Sequence, residues 1–241
     1  MRVFLHIFFA LGDAQVLRKG ADWSFRRIGA FASSSEASSS RGLVAFYFGR
    51  SPCRERRAAA EPSRSPRPPA IENRHPAIEI GILSDTHGYF HPDLTDVFEG
   101  VDLILHAGDV GDPAILDGLE AVAPVRAVFG NVDGRDVRSR RPETERFEAA
   151  GLSFWMTHIA GRPGRWQRGM GRRLADDGPP DVFICGHSHI LQIERLSELD
   201  DMLFLNPGAA GRHGRHREKT CVRLTTRDGR ATSADVVHLD D

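Results

Sequence analysis

Five short strings in this 241-residue chain place metal-ligand donors at fixed points: Asp85-Thr86-His87, Gly108-Asp109, Gly130-Asn131, Thr157-His158 and Gly186-His187-Ser188-His189. Carboxylate, imidazole and carboxamide donors suit Mn²⁺, Fe²⁺, Co²⁺, Ni²⁺ or Zn²⁺ better than Ca²⁺, and a donor set without thiolate is not that of a structural zinc site. One such Asp or Asn at a strand end is ordinarily a cap or turn residue, and one such His an ordinary hydrogen-bonded side chain. Seven together point to a two-metal site. Two cations about 3.5–4 Å apart need a shared anionic ligand, and together they clamp the attacking and leaving oxygens of an in-line displacement and lower the pKa of water.

The elements that must carry these donors are legible in the apolar pattern. Residues 78–84 alternate and run into Asp85, so Asp85 and His87 emerge two apart as a buried strand opens. Runs at 101–105, 124–129, 152–156 and 182–185 end in the other four strings. Between strands, residues 92–98, 112–122 and 164–176 show helix starts or three-to-four spacing. Strands alternating with helices predict a parallel α/β sheet, with function in the crevice outside the carboxyl ends of the strands. After His189 the pattern turns antiparallel, with short strands at 192–196, 202–205, 220–225 and 231–239 that would form a second sheet packed on the first.

The ordered set Asp-x-His, Gly-Asp, Gly-Asn, Thr-His, Gly-His-x-His resembles the calcineurin-like metallophosphoesterase superfamily, most closely its small YfcE-type phosphodiesterases, whose late Asn-Pro-Gly loop is similar to Asn206-Pro207-Gly208. The resemblance covers about residues 77–238. It implies a four-layer α/β/β/α sandwich of two mixed sheets flanked by helices, and a phosphoesterase, foremost a phosphodiesterase, using two divalent ions. Mn²⁺ is the leading candidate, with Ni²⁺, Fe²⁺, Zn²⁺ or Co²⁺ as alternatives. It further implies one ion on Asp85, His87, Asp109 and His189 and a second on Asp109, Asn131, His158 and His187, with hydroxide between them as nucleophile and Asp109, Asn131 and His158 central to catalysis. Asp133, His106, Asn206 and Arg212 are candidates to support the ligands or touch substrate, whereas His91 and His238 read as surface residues. His213 and His216 belong to a basic loop with Arg212, Arg215 and Arg217 that could approach a phosphate or simply be solvated.

Two departures bear on mechanism. Many members carry a histidine directly after Gly-Asn, where this chain has Val132; Asp133 beside it reads as a loop-fixing residue, because a carboxyl next to cations is a poor general acid. Without that acid, either substrates with good leaving groups are favoured or a metal-bound water supplies the proton. Relatives also often read Thr-His-Gly-His, where this chain has Thr157-His158-Ile159-Ala160-Gly161. The loop that follows holds Arg162, Arg165, Trp166 and Arg168, with Trp166 either covering substrate or anchoring the next helix.

The first 75 residues differ in kind. They hold 13 Lys and Arg against 6 Asp and Glu, while residues 76–241 hold 19 against 27, so a net charge of −1 conceals a basic arm and an acidic domain. Serine runs at 33–40 and prolines at 62–70 read as linker. A disordered basic extension over 1–75 ahead of a metallophosphoesterase domain over 76–241 is the expectation. Residues 3–11 are apolar but too short to span a membrane, with His6 interrupting them. The cysteines Cys53, Cys185 and Cys221 make no disulfide framework, which favours a reducing cytoplasm, with export or organelle targeting by residues 1–30 as the alternative. The partner expected is a small phosphoester or phosphodiester. The competing expectations are a non-catalytic metal-binding scaffold of the same fold, and a phosphodiesterase acting on nucleic acid through the basic arm.

Overall fold

The computed structural model describes residues 4–9, 14–19, 22–27, 76–214 and 218–239. In chain order the strands are β1 (Phe4–Phe8), β2 (Ala14–Lys19), β3 (Asp22–Arg27), β4 (Ile78–Leu83), β5 (Leu103–His106), β6 (Val125–Ala127), β7 (Thr144–Ala149), β8 (Leu152–Thr157), β9 (Gly161–Arg162), β10 (Arg165–Trp166), β11 (Val182–Ile184), β12 (Leu191–Leu196), β13 (Met202–Pro207), β14 (Lys219–Arg227) and β15 (Arg230–Leu239). The helices are α1 (Leu94–Val97), α2 (Pro113–Glu120), α3 (Arg135–Arg140) and α4 (Met170–Asp177). One sheet runs β1-β15-β14-β4-β5-β6 and the other β3-β2-β12-β13-β11-β8-β7. Strands β4, β5 and β6 are parallel, with β6 at the sheet edge and the antiparallel β14 beside β4, and β8, β11 and β13 are parallel with antiparallel β7 and β12 on either side.

Period-two alternation builds the layers. Ile80, Ile82, Leu105, Phe154, Met156, Val182, Ile184, Leu203, Leu205, Val222 and Val236 face inward and fill the space between the sheets. Their neighbours point the other way. Leu83, Ile104, Cys221 and Val237 pack under α1 and α2, while Trp155, Phe183, Met202 and Phe204 pack under α4. This is a four-layer α/β/β/α sandwich of two mixed sheets. Helix α2 starts sharply because the Asp112 carboxylate accepts from Ala114 N and Pro113 occupies the first turn, where a missing N–H costs nothing.

The structure corrects several expectations. The five donor-bearing strands do not share one sheet: β4, β5 and β6 lie in the first, β8 and β11 in the second, so the donors gather from both. Nor do the last four strands form a sheet of their own. Strands β12 and β13 extend the second sheet, and β14 and β15 join the first against β4. The expected helix over 164–176 starts only at Met170, because Gly164 and Gly169 sit at φ +75° and +86° and the stretch ahead of them folds as the β9–β10 hairpin. Helix α3 and strand β7 went unread. Only Val137 is buried in the arginine-rich α3, and β7 is an edge strand with alternate residues in solvent, so neither has an apolar run.

Part of the stretch ahead of residue 75 pairs with the sheets. Strand β1 pairs with β15 from Phe4↔Val237 to Phe8↔Ser233, and β2 meets β12 at Ile193↔Val16. Ile7 is buried in the core between the sheets, while His6 points outward to Asp235 at 2.6 Å. The histidine that broke the apolar run is thus the outward residue of an alternating strand. The linker expected at 33–40 and 62–70 lies outside the described residues.

Candidate metal centre

Backbone strain marks the place. Asp85, His87, Asp109, His187 and His189 all have φ between +48° and +67°, the left-handed region that non-glycine residues seldom enter. Such residues persist only where their surroundings hold them, and they cluster at functional sites. Here the loops hold one another: Asp85 N donates to Gly108 O at 2.9 Å, His87 N to Asp109 O at 3.0 Å, and Gly186 N to His158 O at 3.0 Å. The turns aim each side chain out of its strand end into one space.

Two groups of donors meet there. The ligand atoms of Asp85, His87 and His189 lie within 4.8 Å of one another, as do those of Asp109, His158 and His187. His189 Nε2 is 3.1 Å from Asp85 Oδ1 and 3.3 Å from His87 Nε2, and His158 Nε2 is 3.2 Å from Asp109 Oδ2. Asp85 Oδ2 is fully engaged, accepting from Ser84 Oγ and from His187 N at 3.0 Å. His158 Nδ1 donates to Ala107 O at 2.8 Å, which leaves the Nε2 lone pair bare. Asp85 Oδ1 and His158 Nε2 are buried, 4.0 Å apart, and neither has a hydrogen-bond partner of acceptable geometry. Their nearest polar neighbours are themselves ligand-type atoms, His189 Nε2 and Asp109 Oδ2, and a set of this kind is what divalent cations would satisfy.

The electrostatics of the metal-free chain agree. Burial pushes the His87 imidazole below its ordinary pKa, despite Asp85 and Asp109. Burial works against charge at both Asp109 and His158, yet their mutual contact outweighs it, lowering the Asp109 carboxyl and raising the His158 imidazole. A cation binding there would displace a proton from this pair.

Surrounding groups fix the loops. Asp133, buried behind the Gly-Asn turn, accepts from Val110 N, Gly111 N and Gly130 N at 3.2, 2.7 and 2.7 Å. A carboxylate so engaged fixes the turn. On the other side of the turn, Arg138 of α3 donates to the carbonyls of Asp133 at 2.7 Å, Gly130 at 3.0 Å and Asn131 at 3.4 Å. Val132 N completes the turn by donating to Asp109 Oδ1 at 3.0 Å, with the Val132 side chain exposed. Asn131 is exposed beside it. A Cβ at Gly130 would sit 2.0 Å from Asp109 Oδ1, so no larger residue fits without moving that carboxylate.

His106 is fully buried under the site. Its Nδ1 accepts from Gly108 N at 3.2 Å and its Nε2 donates to Thr86 Oγ1 at 2.9 Å; burial pushes its pKa down to about 4, so it is neutral. Asn206 Nδ2 donates to Gly186 O at 2.9 Å and Ser188 Oγ at 3.1 Å, locking the Gly-His-x-His loop to β13. Cys185, in contact with Asn206, is a buried core thiol pushed up to about 12 by burial.

Comparison with known proteins now identifies the family. Residues 78–229 match the model of the calcineurin-like phosphoesterase superfamily domain. The chain belongs to that superfamily. It is 39% identical over 138 residues to a probable metallophosphoesterase of Methanothermobacter thermautotrophicus, spanning 54% of this chain and 76% of the relative. A second probable metallophosphoesterase, from Methanocaldococcus jannaschii, is 37% identical over 135 residues, spanning 54% and 67%. Among solved structures, the fold is similar to Vps29 of Entamoeba histolytica (TM-score 0.51, 19% identity, 68% of this chain and 100% of that one) and to a Thermotoga maritima protein (TM-score 0.50, 23% identity, 65% and 96%).

As a calcineurin-like phosphoesterase, the chain carries metal-dependent phosphoester hydrolysis as its family chemistry, and its clustered donors are groups for divalent metal ions. Within this phosphoesterase the other histidines need correction. His91 is buried rather than on the surface, with Nδ1 accepting from Asp93 N at 3.2 Å at the start of α1. His238 is partly buried, 3.6 Å from Glu218. Trp166 packs against Phe183 and Phe204 with ring centres 6.0 and 5.7 Å away, as an anchor on the outer face of the second sheet. His213, read as part of a basic loop, brings its ring within 5.7 Å of His87; spacing along the chain carried no signal of that. His216 lies outside the described residues. Among those described, no helix is long and apolar enough to cross a membrane.

Proposed function

We propose that this phosphoesterase is a phosphodiesterase with a two-metal centre. One ion would be held by Asp85, His87, Asp109 and His189, the other by Asp109, Asn131, His158 and His187, with Mn²⁺ the leading candidate. The observation that carries this reading is the bare pair Asp85 Oδ1 and His158 Nε2, one from each group of donors, buried and facing each other across the site.

Bound there, divalent ions would polarise the phosphoryl oxygens and supply hydroxide from water near neutral pH. The chain's own residues do the rest. The Ala107 carbonyl keeps the His158 proton on Nδ1, away from the ligand face. Ser84 and the His187 amide turn Asp85 Oδ1 inward, and the Val132 amide fixes Asp109 Oδ1. The side chain at 132 cannot protonate a leaving group, and Asp133 is committed to three amides, so the reading favours esters that leave unaided. Diesters with aryl groups fit that requirement better than alkyl monoesters.

The test is hydrolysis of bis(p-nitrophenyl) phosphate by the full chain with Mn²⁺ or Ni²⁺, before and after Asp109→Asn. Metal-dependent turnover that drops at least a hundredfold in the variant is expected. Metal binding without hydrolysis of any mono- or diester would favour a scaffold of the same fold instead.

A further inference from the structure

One feature of the site's rim is not used by the hydrolysis itself. Gly211 N donates to Asp85 O at 3.1 Å, and a Cβ at Gly211 would sit 2.4 Å from Thr86 O, so the arm after Asn206-Pro207-Gly208 is rooted on the first metal-ligand strand end. From that root Arg212 and His213 project at the surface. His213 brings its ring to 5.7 Å from His87, and Arg212 turns onto Tyr89, two residues beyond His87.

The Arg212 contact is specific. Its guanidinium carbon lies 3.9 Å above the Tyr89 ring centre, and Nη2 donates to Tyr89 Oη at 2.8 Å. Stacking and a hydrogen bond fix the plane of the fork without neutralising it. Some surface arginines, Arg126, Arg140, Arg141 and Arg146, pair with a carboxylate, while among the described residues others such as Arg162 and Arg168 do not. Arg212 has no carboxylate partner among the described residues. A solvated basic arm needs no aromatic shelf; a guanidinium held flat and uncompensated beside a phosphoester site is suited to an anion, because its donors match phosphate or carboxylate oxygens in pairs.

We propose that Arg212, seated on Tyr89 and flanked by His213, forms a second anion subsite, so that the preferred substrate is a phosphodiester carrying another anionic group near the scissile phosphate. This rests on the phosphodiesterase reading and narrows its substrate class. The closest simple probe pair is the dinucleotide ApA and its 5′-phosphorylated form pApA, which share the scissile bond and differ by one terminal phosphate.

With the Mn²⁺-loaded full chain, kcat/KM for pApA is expected to exceed that for ApA by roughly tenfold or more, the difference lying in KM, as one hydrogen-bonded charge pair would give. Arg212→Gln should bring the pApA to ApA ratio toward one, Arg212→Lys should restore part of it, and Tyr89→Ala, which removes the shelf, should lower it. Equal kcat/KM for the two dinucleotides in the wild type, or a ratio untouched by Arg212→Gln, would overturn the subsite while leaving the phosphodiesterase reading in place. Bis(p-nitrophenyl) phosphate is run alongside. Cleavage of it with no cleavage of pApA would also overturn the subsite; if no diester at all is cleaved, the underlying reading fails and takes the subsite with it.

Discussion

His158 Nε2 and Asp85 Oδ1 lie 4.0 Å apart in the floor of the site, both buried and both without a hydrogen-bond partner. Leaving such atoms unsatisfied costs about 1–3 kcal/mol each, and the strand end at Asp85 is further strained by its positive φ. The metal-free fold therefore carries a local penalty that cation binding relieves. Addition of Mn²⁺ at a hundred times its dissociation constant should stabilise the chain by about 2.7 kcal/mol, raising Tm by about 2–4 °C per kcal/mol. Differential scanning fluorimetry with and without chelator reads this directly. An unchanged Tm would mean that the bare atoms are not a cation site.

Gly130 has its own prediction. A methyl group there would collide with Asp109 Oδ1, and the nearest alternative obstacle is the Asp109 backbone nitrogen at 2.5 Å, so relaxation has nowhere to go except into the ligand. Gly130→Ala should weaken metal binding at least tenfold, with a loss of stability of about 1–3 kcal/mol. Isothermal titration of the variant with Mn²⁺ measures it; wild-type affinity would show that Asp109 is not a ligand.

Arg138 tests the support from the far side of the same turn. Its three bonds to the carbonyls of Gly130, Asn131 and Asp133 hold the peptide that presents Asn131 and the Val132 amide. Arg138→Gln should reduce metal affinity about 10–100-fold, the range found when groups that orient ligands are lost, with Arg138→Lys intermediate. An Arg138→Gln chain that binds metal normally would leave the arginine as a surface clip on Phe129, whose ring lies 4.4 Å beneath it.

His106 gives a pH signature of the metal-free chain. Its folded pKa of about 4 lies below the ordinary 6.5, so as pH falls through 6.5 the unfolded chain takes up a proton that the folded chain refuses until about 4. The contribution is intact above pH 6.5 and is lost progressively between 6.5 and 4, amounting on the order of 3 kcal/mol. With chelator present, wild-type Tm should fall more steeply between pH 7 and 5 than that of His106→Asn. Parallel slopes would contradict a neutral buried His106.

The leaving-group preference follows from Val132 and Asp133 together. Bis(p-nitrophenyl) phosphate should be hydrolysed with kcat/KM at least a hundredfold above that of an alkyl monoester such as glycerol phosphate. Comparable values would require an acid that neither residue provides.

Much of this was legible in the chain because strand ends carry their own punctuation. The apolar runs before Asp85, Asp109, Asn131, His158 and His187 located all five strands to within a few residues. Sheet membership was not legible, because β4 and β11 have the same buried-on-both-faces pattern although they belong to different sheets. The supporting role of Arg138 was equally hidden, because it sits on a helix with a single buried residue; His106 stood among the supporting candidates, and only the partners of its two ring nitrogens were out of reach. His213 reaches His87 across 126 residues of chain, a contact that spacing cannot encode.

The most direct test of the two-metal phosphodiesterase is the rate of bis(p-nitrophenyl) phosphate hydrolysis as Mn²⁺ is titrated into chelator-treated chain. The rate should climb until two equivalents per chain are bound and remain near zero throughout in Asp109→Asn. Full activity at one equivalent, or hydrolysis undiminished by chelator, would contradict it.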